Sequence, residues 1–136
     1  MTEDPSELME GTEKLRALYG SWISFHDAVV ESVLLERVGP TVTIRFITND
    51  AVSTDGGQTA DLANTRRASV VMRWHEVRDL VLSGVDWDEN NWIDGLKFVR
   101  SRDTICTLIE RMDGTHGFIQ AERVEVVSAE LLECSQ

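Results

Sequence analysis

The sequence predicts an α+β fold: one N-terminal helix followed by about seven strands in a mostly antiparallel, meander-like sheet. Three observations carry the prediction. Helix start and stop signals bracket residues 5–19, and the apolar period changes from 3.6 to 2 after Trp22. Turn formers then recur between short apolar runs as far as residue 127. At 136 residues the chain makes about 0.9 of a typical domain, so residues 1–136 are read as one domain.

For the helix, Asp4 can act as N-cap, Pro5 suits the first turn and Glu7 completes a capping box. Leu8, Leu15 and Leu18 recur at helical spacing, and Gly20 supplies the stop. Gly11 weakens the middle by about 1 kcal/mol, so this helix depends on docking. Residues 26–37 and 41–48 flank Gly39-Pro40 and predict a hairpin, with Leu35 opposite Ile44 and Val33 opposite Phe46 on one apolar face. Residues 49–67 show no period and read as a long connection. Strands are expected at 69–76 and 79–83, where Val70, Met72, Trp74, Leu80 and Leu82 take the even positions. Residues 86–91 form a second loop, and Leu96 and Phe98 mark another strand. A last hairpin pairs 104–111 with 118–127 across 112–117 and sets Cys106 opposite Arg123.

Charge removes several function classes. With 13 basic and 24 acidic residues the net charge is −11. A phosphate-tracking surface needs the opposite excess, so neither nucleic acid nor an anionic membrane is an expected partner. No apolar run is long enough to span a bilayer, and the acidic start Met1-Thr2-Glu3-Asp4 lacks the pattern of a signal peptide. Cys106 and Cys134 have no C-x-x-C partner and read as free thiols in a cytoplasmic protein.

Few motifs carry chemistry. Ser24, His26 and Asp27 are the residue types of a hydrolase triad, but on an extended strand Asp27 points away from the other two. The simpler reading has His26 and Asp27 bonding nearby backbone groups. Cys106 and His116 lie too far apart along the last hairpin for proton transfer. His26, His75 and His116 fall on different elements without zinc spacing. Asp86-x-Asp88-x-Asn90 starts like a calcium loop and then fails at Asn91 and Lys97. Gly56-Gly57 lacks the lysine of a phosphate cradle. No cofactor or metal is expected from these spacings. What remains is charge geography: Asp86, Asp88, Glu89 and Asp94 stand beside Trp87 and Trp92 with no base before Lys97. The simpler reading is a solvated loop with tucked tryptophans. The functional one is an anionic patch with aromatic anchors for a basic protein partner.

Residues 18–46, with Trp22 and Phe25-His26-Asp27-Ala28 as their most specific part, resemble the immunity protein 50 family of bacterial polymorphic-toxin systems. Residues 77–84 and 114–118 extend the likeness over most of the chain. Ile23 stands where the family motif carries Pro, and Val29 where Glu is frequent. The resemblance implies a cytoplasmic, non-enzymatic protein that binds and neutralises a cognate toxin. Trp22, Phe25, His26 and Asp27 are then expected to shape the fold. Asp86, Trp87, Asp88, Glu89, Trp92 and Asp94 are expected to meet the partner. Two alternatives stay open: a small enzyme using His26 and Asp27 under the 49–67 connection, and a self-associating domain if the second face of the first hairpin is exposed.

Overall fold

A computed structural model describes residues 5–53, 60–83, 92–111 and 114–132, with the side chains of 50–66 and 114–116 outside that description. Asp4, Cys134 and residues 86–91 therefore lie outside the described residues. The N-terminal helix is interrupted. A 3-10 turn, Pro5–Leu8, precedes helix α1, Glu13–Tyr19. Gly11 makes the break with φ +78°, and a β-carbon there would meet the Val126 carbonyl oxygen at 2.2 Å. Between turn and helix, Glu10 runs alongside the sheet as an isolated parallel bridge to Glu125. The glycine that only weakened a continuous helix in the sequence instead lets the backbone lie against a strand. Gly20 closes α1 in the left-handed conformation, its N–H donating to the Arg16 carbonyl at 2.8 Å.

Among the described residues seven strands follow: β1 Ala28–Glu36, β2 Thr41–Ser53, β3 Ala60–Leu82, β4 Trp92–Ile93, β5 Gly95–Ser101, β6 Thr104–Arg111 and β7 Gly114–Leu131. Every strand pairing is antiparallel. The order β4-β1-β2-β3-β7-β6-β5 is not a simple meander; two three-stranded meanders join where β3 pairs β7. The strand-rich sheet coils nearly into a barrel, and the helix is a minor element.

Several expectations need correction. The described residues of 49–67 are strand, 49–53 in β2 and 60–67 in β3: Asn49 pairs Arg67, Asp50 pairs Arg66 and Ala51 pairs Thr65. Backbone pairing needs no apolar period, so this ribbon has no hydrophobic signature. The two strands expected at 69–76 and 79–83 are one strand, β3. Its register shifts between Val77 and Asp79, just after Glu76 at φ +54°. A bulge reads in a sequence as a gap. In the first hairpin Leu35 faces Val42 and Val33 faces Ile44, two residues from the expected register. Residues 37–40 form a four-residue turn instead of a two-residue one. A shift of two preserves side-chain parity, so the apolar face survives. In the last hairpin β7 begins at Gly114, and Cys106 faces Gln120 instead of Arg123.

The core lines the inside of the coil: Val42, Ile44 and Phe46 from β2, Val70, Met72 and Trp74 from β3, and Val124 and Val126 from β7. Leu15 and Tyr19 of α1 are buried in the same core. Several buried polar side chains are paired. The Trp74 Nε1–H donates to Thr107 Oγ1 at 2.8 Å, and Thr48 Oγ1 reaches the Ala68 carbonyl at 3.4 Å. The hydroxyls of Tyr19 and Thr48 meet at 3.0 Å.

Candidate functional site

The two ends of the sheet meet through one short segment. Ile93 in β4 pairs Ala28 of β1, and its carbonyl accepts the Asp27 N–H at 2.8 Å. The next N–H, that of Asp94, donates to the Glu110 carbonyl on β6 at 2.7 Å. Leu96 N–H then donates to the Ser24 carbonyl at 3.4 Å. A β-carbon at Gly95 would lie 3.2 Å from that same oxygen, which suits glycine to the approach. Residues 93–96 are thus the seam of the coil.

Beneath the seam runs an aromatic row. Phe46 meets Phe25 at 5.2 Å between ring centroids, Phe25 meets Trp22 at 5.7 Å, and Trp22 meets Phe98 of β5 edge-on at 5.9 Å. Trp22 and Phe25 therefore tie β2 to β5 across the closure. Above the seam, His26 and Asp27 stand in solvent with side chains 63% and 66% exposed. Phe25 at φ +64° and Asp27 at φ +62° occupy the left-handed region, which turns the chain sharply at this point. That conformation sends Phe25 inward and leaves its two successors outside.

The extended-strand premise for Ser24, His26 and Asp27 fails, because 22–25 are irregular, 26–27 are a turn and β1 starts only at Ala28. The Ser24 hydroxyl accepts the backbone N–H of His26 at 3.3 Å. The imidazole Nδ1 lies 3.1 Å from the Asp94 carbonyl oxygen, and Nε2 lies 3.5 Å from an Asp27 carboxylate oxygen. Because a carbonyl only accepts, Nδ1 carries the proton. Asp27 binds backbone through its own N–H, and its carboxylate faces His26 rather than a buried donor.

The fold brings Asp94 to this pair: one ligand atom from each of His26, Asp27 and Asp94 lies within 4.8 Å of the others. No linear spacing shows this group, since 68 positions separate His26 from Asp94. Trp92 is half-buried next to it, with the Arg111 guanidinium 5.8 Å from its ring centroid. Asp86, Trp87, Asp88 and Glu89 lie outside the described residues. Elsewhere, His75 Nε2 contacts a Glu125 carboxylate oxygen at 2.9 Å on the outer face. Cys106 is half-buried, and desolvation pushes its thiol pKa up, which disfavours the thiolate. The His116 side chain lies outside the described residues.

No curated protein and no solved structure matches the chain. A family model described as Immunity protein 50 matches residues 11–132, a span holding the aromatic row, the seam, the exposed His26 and Asp27 and the half-buried Asp94. With nearly the whole chain matched, the protein belongs to the immunity protein 50 family.

Proposed function

We propose that the protein is a cytoplasmic toxin-immunity protein that neutralises a basic cognate toxin by covering part of its surface, without catalysis. The observation that carries this reading is the family match over residues 11–132. The contact face is the outside of the seam: Asp27, His26, Asp94 and Trp92, together with Asp86, Trp87, Asp88 and Glu89 in the segment leading to it. Exposed carboxylates on a chain of net charge −11 favour encounter with a basic protein, and a half-buried tryptophan offers an anchor. Against a hydrolase triad, the His26 ring turns Nδ1 to the Asp94 carbonyl and Nε2 to the Asp27 carboxylate, and the Ser24 hydroxyl contacts the His26 backbone N–H.

The test is binding to the toxin encoded beside this gene, joined to growth protection on co-expression. Trp92→Ala should speed dissociation by about tenfold or more and weaken protection. No binding to that neighbour and no protection would reject the immunity reading.

One observation supports a second reading. Leu34, Leu35 and Val38 at the tip of the β1–β2 hairpin are 53%, 60% and 91% exposed. An apolar tip of this kind suits pairing with a second copy. Sedimentation at two protein concentrations decides: a concentration-dependent dimer lost in Leu34→Lys supports self-association, and a monomer throughout removes it.

A further inference from the structure

We propose that His26, Asp27 and Asp94 form a binding site for a divalent transition-metal cation of the zinc type. The inference is independent of the immunity reading. Nδ1 donates to the Asp94 carbonyl at 3.1 Å, so in the neutral ring Nε2 holds a lone pair. That lone pair faces an Asp27 carboxylate oxygen at 3.5 Å. Two acceptors confronting one another repel, and the separation exceeds an ordinary hydrogen bond. It does suit two ligands of one ion, because tetrahedral bonds of about 2.1 Å set neighbouring ligand atoms about 3.4 Å apart. Asp94 supplies the third ligand atom within 4.8 Å, so a modest side-chain rotation closes the set.

The surroundings resemble those of metal-binding histidines. In such sites the distal ring nitrogen commonly donates to a backbone carbonyl, which fixes tautomer and ring orientation. Here that carbonyl belongs to Asp94, itself one of the ligands, so a single residue orients the imidazole and completes the site. The donor set selects the ion. One imidazole and two carboxylates favour zinc and its first-row neighbours over magnesium and calcium, which prefer all-oxygen shells. Three protein ligands on an exposed surface leave a coordination position for water or for a partner's side chain.

The test uses the intact protein at mildly alkaline pH, titrated with zinc by calorimetry and with cobalt(II) by visible absorption. One saturable site in the micromolar range is expected, with cobalt bands of a low-coordinate nitrogen–oxygen site. His26→Gln and Asp94→Asn should each weaken binding by about tenfold or more. His75→Gln removes the other described histidine paired with a carboxylate and should change nothing. Thermal melts of each variant confirm folding, and Asp27→Asn serves if either of the others unfolds. Absence of saturable binding, or binding unchanged in His26→Gln, overturns the proposal. Toxin binding measured in chelator separates the readings: association that persists without metal leaves the immunity function standing whichever way the titration falls.

Discussion

At the residue scale, Asp27 and Trp74 show where chemistry and conformation part company. The sequence reading has the Asp27 side chain bonding nearby backbone groups. In the fold it stands in solvent, and the backbone does the structural work at φ +62°. Asn and Gly adopt that conformation readily, whereas a β-branched residue is strained there. Asp27→Asn should therefore leave unfolding in urea nearly unchanged, and Asp27→Val should cost about 2 kcal/mol. An equal loss in both would return the role to the carboxylate. Trp74 is the reverse case, a polar atom deep in the core. Thr107→Val keeps shape but strips the acceptor from its Nε1–H, and should cost about 1–3 kcal/mol by the same measurement.

Elements were legible wherever packing leaves a periodic trace. The period-2 runs at 41–48, 104–111 and 118–127 all fall within strands, because each alternates core and solvent. The paired residues within 49–53 and 60–67 left no trace, since a ladder needs no apolar period. The strand β4 has two residues and exists only because residues far away in sequence meet it. The broken helix turns on a contact no local signal contains, Gly11 against the Val126 carbonyl. Gly11→Ala should destabilise by about 2–4 kcal/mol, from combined clash and backbone strain, as a lower urea midpoint. An ion pair clamps the same segment: Arg123 Nε donates to Glu10 at 2.8 Å. The hydrogen bond from Arg123 holds the Glu10 carboxyl below its ordinary range. A carboxylate whose pKa is lowered by folding adds stability above its unfolded pKa, and loses it as pH falls through the folded value. Glu10→Gln should be less stable than the parent at neutral pH. The difference should vanish under acid conditions, and a gap that widens on acidification would contradict the pairing.

At the scale of the whole molecule, closure of the sheet places function where sequence spacing could not. His26 and Asp27 drew attention as a motif, and Asp94 as the end of an acidic run; only coiling of seven strands makes them neighbours. The aromatic row beneath supports the same closure, so the residues that stabilise the seam also present its polar outer side. This divides the expected mutational effects. Changes at Trp22 or Phe25 belong to folding, and changes among the carboxylates belong to association. Rim charges act chiefly on encounter rate. Neutralising Asp27 and Asp94 together should slow association with the neighbouring toxin by roughly tenfold at low salt, with dissociation little altered. The difference should shrink toward about 0.5 M salt, where the screening length falls to about 4 Å. The same neutralisation at Asp86 and Asp88 provides the comparison. If only that second pair slows association, the contact lies on the segment before Trp92 and not on the seam. If neither pair does while binding persists, the toxin meets another face of the sheet, and the exposed hairpin tip at Leu34 and Val38 becomes the next surface to mutate.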